Sequence, residues 1–297
     1  LAILFCFQAI RDNLNAGQTT PLLLWACVEG LHQARSGRAW IAALILGLAI
    51  DAKLLPLILL PYFLYRRYFK AAALVPLFIA ISMASPLLVL KTDHMTGLLS
   101  GRWSLLNPAD PRHILDEEEP AFLSLGSSLS AFLSTEGGSP NTISAPRNIA
   151  DLSVGRIAML LLVLRGILAL GTLWFLRTAP FKPARGSEHS CWELGYILLC
   201  VPLMFPHQKP YALLFALPAL LWLVHRVLDR WWNGIRPTHL IAMLVIAFVT
   251  FNSLFLMGEF ASYIHHYKVL SLALIGLMVL LAWTPPTDRA ITAAPLR

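Results

Sequence analysis

The chain has 297 residues, of which 57% are hydrophobic and 13% charged, with a mean hydropathy of +0.67. A soluble domain carries about 25% charged residues, so this composition excludes an ordinary soluble globule and points to an integral membrane protein. The net charge of +7 comes with no basic stripe interleaved with aromatics, which argues against nucleic acid as a partner.

The apolar runs are continuous and Leu-rich, as helical spans require, and lack the short alternating segments of a membrane β-barrel. The predicted fold class is an all-α polytopic membrane protein of ten segments: 1–10, 19–33, 39–52, 54–65, 71–90, 155–176, 191–205, 210–227, 239–257 and 264–283. Residues 1–90 carry five segments, 91–154 form a long loop, and 155–297 carry five more and a short tail. No initiator Met or charged leader precedes the first run, so Leu1 reads as the cut end of a longer chain.

The first segment leads into Arg11-Asp12-Asn13 and Gly17-Gln18, read as a short polar connection. A cation and an amide at the head of the next helix suit an anion such as a phosphate. A solvated loop with a snorkelling Arg11 is the alternative. Segments three and four are short and read as a hairpin turning at Ala52–Pro56, because Pro56 lacks a donor and biases Leu55 away from helix. At its tip Lys53 has the charge to hold a lipid phosphate; alternatively Asp51 and Lys53 neutralise their surroundings.

The 91–154 loop is long enough to be functional. Its acidic run 116–119 has the oxygen ligands to bind a divalent cation, against the blander reading of a solvated charged face. Ser128, Leu129, Ala131 and Phe132 have the pattern of a short amphipathic helix on the membrane surface, and 137–146 reads as a flexible piece. Arg165 interrupts an apolar segment, a position that marks either a buried pair or a substrate contact. In Phe205-Pro206-His207-Gln208-Lys209-Pro210 two prolines bracket a polar tip; His207 suits proton transfer or phosphate binding and Lys209 phosphate binding, with a tight turn as the alternative. His265-His266 lacks a third ligand, so no metal is assigned. Cys6, Cys27, Cys191 and Cys200 form no CxxC pair and read as small buried residues. Trp40, Trp192, Trp231, Trp232 and Trp283 sit at segment ends, as an interfacial belt would place them.

Loop charges predict the orientation. One set of loops carries thirteen basic residues, among them Arg35, Arg66, Arg67, Arg226 and Arg236; the opposite short loops carry four, Arg11, Lys53, Lys209 and Lys268. The basic side is therefore the cytoplasmic one, and Asp12, Lys53, the long loop, His207 and Lys209 face outward.

The run GQTTPLLLWACVEGLHQARSGRAWIAALILGLAIDAKLLPLILLPYFLYRRYF resembles glycosyltransferase family 87 in its order of features. Gly-Gln enters a helix, and a basic turn, a Gly-spaced helix, a Lys-x-x-Pro hairpin and a second basic turn follow. The resemblance covers residues 8–75 and is echoed in SSLSAFLS and FPHQKPYALLFALPALLWL. It implies a GT-C fold and the transfer of a hexose, with mannose favoured, from a polyprenyl-phosphate sugar to an envelope lipid or glycan outside the cytoplasmic membrane. The donor phosphate would meet Arg11, Lys53 and Lys209 or His207, and Gln18 would bond the donor. Two departures stand out. Ser127 precedes Ser128-Leu129, where family members often have Asn or Gln. The carboxylate base, which such enzymes usually carry in the first outer loop, would precede Leu1, leaving Asp12 as the candidate within the chain. No Gly-rich nucleotide loop appears, in keeping with a lipid-linked donor, and no cofactor is implied. A transporter or lipid flippase is the competing class; the lack of a visible internal repeat and the gathering of polar patches on one face weigh against it.

Overall fold

The computed structural model describes the chain except residues 91, 108–109, 117–120, 136–142, 144, 177–179, 183–185 and 287–297. Among the described residues all regular structure is helical. The first half comprises α1 (Ala2–Phe5), α2 (Phe7–Asn15), α3 (Thr20–Arg35), α4 (Ala39–Ala52), a 3-10 turn at Leu55–Ile58, α5 (Leu59–Tyr65) and α6 (Phe69–Ala84). The 91–154 stretch contributes α7 (Thr92–Leu105), α8 (Pro111–Leu115) and α9 (Leu125–Leu133). Next come α10 (Val154–Leu176), α11 (Gly186–Met204), a 3-10 helix at Pro210–Ala216, α12 (Leu217–Trp232), α13 (Thr238–Phe251), α14 (Ser253–Met257), α15 (Ala261–His266) and α16 (Val269–Ala282).

Each of the ten expected segments is helical, but ten full crossings are not what the helices provide. Three helical stretches are long and apolar enough to cross a membrane: Phe69–Leu88, Val154–Leu176 and Pro210–Trp232. A fourth arises if 238–251 and 253–266, bent by 76°, form one broken span. The reason is length. A 14-residue helix such as α4 or α16 rises about 21 Å at 1.5 Å per residue, short of a hydrocarbon core about 30 Å thick.

Two breaks in the helices complete each other. The first expected segment is interrupted at Cys6 and the ninth at Asn252. The Asn252 amide donates to the carbonyls of Leu4, Phe5 and Phe248, and its oxygen accepts the Gln8 N–H at 3.1 Å. Gln8 Oε1 in turn accepts the Leu254 N–H at 3.0 Å. Backbone groups freed inside a bilayer need protein partners, and these two buried amides supply them across 244 residues of sequence.

Close packing of small residues draws the neighbouring helices together. A Cβ on Gly47 of α4 would stand 2.6 Å from Phe78 Cβ on α6, and one on Gly195 of α11 would stand 2.9 Å from the Ala219 backbone of α12. Such approach is how membrane helices gain contact where no hydrophobic force distinguishes lipid from protein.

Several expectations change. Trp192 is no interfacial anchor: it is buried and donates to the Leu281 carbonyl at 2.8 Å, whereas Trp40, Trp231, Trp232 and Trp283 are exposed. Cys6, Cys27 and Cys200 are buried as expected, but Cys191 is exposed. The helix around Ser128 forms as α9, and one face of it packs inside the protein. Ser127, Ser130 and Ala131 are buried, and the helix is anchored by Ser130 to the Leu115 carbonyl at 2.7 Å.

Beside α11 an ion pair closes one face. Arg66 Nε donates to Glu193 Oε2 at 2.9 Å, the Tyr62 hydroxyl donates to the same oxygen at 2.9 Å, and Arg66 reaches the Lys182 carbonyl at 3.3 Å. Glu193 lies eleven residues before Met204 at the end of the helix, about 16 Å along its axis. The polar loop that follows Met204 is the other pole of the molecule.

Candidate functional site

That polar loop, residues 205–211, is where distant parts of the chain meet. Pro206 and Pro210 fix its shape, and His207 takes a left-handed φ of 57°. Four contacts converge on it. Asn13, near the end of α2, donates to the Tyr211 carbonyl at 3.0 Å. Lys53 Nζ lies 3.4 Å from the Tyr211 hydroxyl and 5.0 Å from its ring centre. The Leu123 N–H donates to the Gln208 carbonyl at 2.8 Å, and the His207 N–H donates to Asp116 Oδ1 at 2.8 Å.

Asp116 is the buried centre of this cluster. It terminates α8 in a left-handed conformation, φ 52°, and is fully buried. Besides the His207 N–H it accepts the Ser124 hydroxyl. His207 Nδ1 also sits 2.9 Å from Oδ1, at an angle short of hydrogen-bond geometry, so that contact is electrostatic. Burial pushes the Asp116 carboxyl above its ordinary value, against the pull of Ser124, the His207 N–H, and the charges of His207 and Lys268. The rings of His113 and Phe122 meet the His207 imidazole edge-on, with centroids 5.2 and 5.5 Å away. Lys268, buried and left-handed at φ 53°, donates to Ser127 Oγ at 2.6 Å and to the Phe122 carbonyl at 3.2 Å. It thereby ties α9 and its approach to the start of α16.

A break between helices stands at the expected tip. Lys53 is extended between α4 and the 3-10 turn that begins at Leu55. Its neighbour Asp51 is not its partner. Arg102 of α7 donates to Asp51 Oδ1 at 2.9 Å and to the Asp51 carbonyl at 2.8 Å, and Ser82 takes the other carboxylate oxygen. Lys53 is left with a phenol and no carboxylate among the described residues, and burial lowers the pKa of its ammonium. A half-buried cation whose charge no acid cancels is a place for an anion.

Arg11, Asp12 and Asn13 are not in a connection but in the last turns of α2. Arg11 is 45% exposed, with Asp12 at 3.4 Å. The chain reverses behind it by a Schellman closure: Gly17 at φ 58° and the Gln18 N–H on the Asn13 carbonyl at 2.9 Å. Gln18 therefore contributes its backbone to the turn, and its side chain is half-buried. Lys209 is half-buried in the polar loop. Arg165 of α10 donates to the Met204 carbonyl at 3.0 Å, just ahead of the loop.

The polar loop thus gathers Lys53, His207, Lys209 and the end of α2. Residues 117–119 of the acidic run and most of 137–146 lie outside the described residues. His266 Nε2 donates to the Ala145 carbonyl at 3.0 Å, and no group of three metal-ligating side chains occurs among the described residues. Tyr211, Asp116 and Lys268 escaped the sequence reading as individuals. Asp116 looked like one member of a charge run, and the other two carried no signal beyond their positions at segment ends.

No curated protein and no solved structure matches the chain. A family model does, over residues 1–258, a span that includes the hairpin, the described α7–α9 region and the whole polar loop. On that match the chain belongs to glycosyltransferase family 87.

Proposed function

We propose that the protein transfers a hexose, with mannose favoured, from a polyprenyl-phosphate sugar to an envelope lipid or glycan on the extracytoplasmic side of the plasma membrane. Lys53, with Lys209 of the polar loop and Arg11 two residues before the Asn13 that bonds this loop, stabilises the phosphate as the bond between it and the anomeric carbon breaks, a transition-state role. The acceptor hydroxyl oxygen forms the new bond to that carbon. His207, held by Asp116, takes the hydroxyl proton, and Asp12 is the second carboxylate available at this pole. Polyprenyl phosphate leaves with the electron pair of the broken bond.

One observation carries this reading: Lys53 and the His207–Asp116 pair converge on a single seven-residue loop, although 63 residues of sequence separate Lys53 from Asp116 and 91 separate Asp116 from His207. The excess of basic residues in the opposite loops supports the outward placement of that pole.

The test is transfer in detergent. The protein, in its longest natural form, is incubated with polyprenyl-phosphate hexose labelled in the sugar and with extracted envelope lipids. Label should move to the lipid fraction and depend on His207, with His207→Gln slower by about 10²–10⁴-fold. Label that crosses a liposome bilayer with its glycosidic bond intact would instead establish the transporter reading.

A further inference from the structure

Asp51 stands two residues before Lys53, and distant parts of the chain decide which cation it meets. α4 and α6 are in close approach where Gly47 meets Phe78. One turn further along both helices, Ser82 donates to Asp51 Oδ2 at 2.5 Å. That bond holds one carboxylate oxygen and leaves Oδ1 to a cation. Two cations compete for it. Lys53 follows on the same strand of chain: two residues span at most about 7 Å, a distance that the four-carbon stem of a lysine bridges. Arg102 comes 51 residues later, and it is the one that takes the oxygen, with Nη1 at 2.9 Å. Its Nη2 donates to the Asp51 carbonyl at 2.8 Å, one of the carbonyls at the end of α4 that find no partner inside their own helix.

α7 is placed by this contact. From Thr92 to Ser104 its residues are exposed except Met95, which is buried, and Arg102, which is half-buried. Seven residues apart, these two lie on one helix face. A Cβ on Gly97 or Gly101 would meet nothing within 4 Å, so neither glycine serves close packing, and each weakens the helix relative to alanine. A helix so sparsely packed depends on its polar anchor, and that anchor is the acid beside Lys53. We propose that Arg102 is a positioning residue for donor use: by occupying Asp51 it keeps that carboxylate from capturing the Lys53 ammonium and leaves the ammonium open to the phosphate of the donor. Without Arg102, Asp51 would retain only Ser82, and Lys53 would turn to it. The assignment rests on the function proposed above and adds to it the residue that keeps its cation free.

The test is a double-variant cycle on the longest natural form of the protein. Arg102→Met is made in the wild-type background and in the Asp51→Asn background, and kcat/KM for the polyprenyl-phosphate hexose is read in each. In the wild-type background it should fall about fivefold, the competition of one part-exposed ion pair. In the Asp51→Asn background no carboxylate remains to capture Lys53, and the change should stay within about twofold. Arg102→Gln, which still bonds the Asp51 carbonyl but leaves the carboxylate charge uncancelled, serves if Arg102→Met does not fold. A second readout needs no transfer: the rate at which acetic anhydride acylates Lys53 at fixed pH, followed by mass spectrometry. An amine paired with a carboxylate is held in its protonated, unreactive form, so acylation should slow in Arg102→Met and recover when Asp51→Asn is added. Equal losses of kcat/KM in both backgrounds would show that Arg102 acts on the donor itself or only docks α7, and would overturn the assignment. Acylation of Lys53 that is indifferent to Arg102 would overturn it too. Acylation that follows the cycle in a protein that moves no sugar refutes the proposed function and leaves the role of Arg102 standing. Transfer that needs Lys53 and is indifferent to Arg102 does the reverse.

Discussion

Replacing Lys53 with alanine separates a binding cation from a structural one. In the fold Lys53 makes a long contact to the Tyr211 hydroxyl, 3.4 Å, and lies over its ring at 5.0 Å. A cation–π contact of this kind contributes about 0.5–1 kcal/mol at a partly exposed site. Removing the ammonium also relieves its desolvation, so Lys53→Ala should leave the folded yield and melting temperature nearly unchanged. A donor phosphate held by the same ammonium is a charge-assisted contact worth about 1.5–3 kcal/mol, or roughly ten- to a hundredfold in rate. The assay is the initial rate of sugar transfer at donor concentrations below KM, with the melting temperature measured beside it. Lys53→Arg supplies a second arm. Burial lowers the Lys53 pKa, so charge, and donor use with it, should be lost as pH rises through that lowered value. Arginine stays charged and should hold its rate into alkaline buffer. A Lys53→Ala rate within twofold of wild type would refute the phosphate role, and a loss of folded protein would show that the tip needs the Tyr211 contact.

Four other expectations follow from the same contacts. Asp116→Ala strands the His207 N–H and the Ser124 hydroxyl, each worth about 1–3 kcal/mol when left unsatisfied; proteolysis between α8 and α9 should speed up and transfer should fall. Burial sets the folded Asp116 pKa above its unfolded value of about 3.9, so its contribution to stability is complete below that value and is lost as pH rises through the folded one. Melting curves from acid to neutral pH should therefore fall less steeply for Asp116→Asn than for wild type, and parallel curves would refute this. Arg11→Lys should slow transfer if the guanidinium fork grips phosphate, while full activity would mark Arg11 as a snorkelling anchor. Arg66→Met should abolish most folded protein, since breaking a buried pair costs about 3–5 kcal/mol, and adding Glu193→Leu should restore part of it.

The apolar runs made the helices legible, and Pro56 made the break after α4 legible, because both signals are local. What the sequence hid is long-range. Nothing near Asp51 announces Arg102, which comes 51 residues later. The sequence left open whether Lys53 holds a phosphate or Asp51 and Lys53 neutralise their surroundings, and it gave no sign that Asp51 is taken by Arg102 and Ser82. The breaks at Cys6 and Asn252 carry no Pro or Gly; they exist because two amides satisfy each other's helix ends. Arg11 through Asn13 looked like a turn because polar residues interrupt an apolar run, yet α2 continues through them and ends at the Gly17 closure. Nothing in the sequence of the acidic run marks Asp116 as buried; that is visible only in the fold.

The two poles of α11 treat charge in opposite ways. At one, Arg66 and Glu193 cancel each other in a buried pair, and Tyr62 and the Lys182 carbonyl complete the set. At the other, the carboxylates are occupied by partners that are not Lys53: Asp51 by Arg102 and Ser82, and Asp116 by Ser124 and His207. Backbone strain is distributed with the same bias. Among the described residues five non-glycines have positive φ, and three of them, Asp116, His207 and Lys268, belong to this cluster. Residues in such conformations cost of order 1 kcal/mol or more each and persist only where their surroundings hold them. Here the holding contacts are those that aim His207 and dock α9. A pole that merely capped the bundle would gain by letting Lys53 pair with Asp51 and by relaxing these turns. Keeping a half-buried cation open beside a histidine fixed on a buried acid makes physical sense when an anion and a proton-bearing group are to meet there.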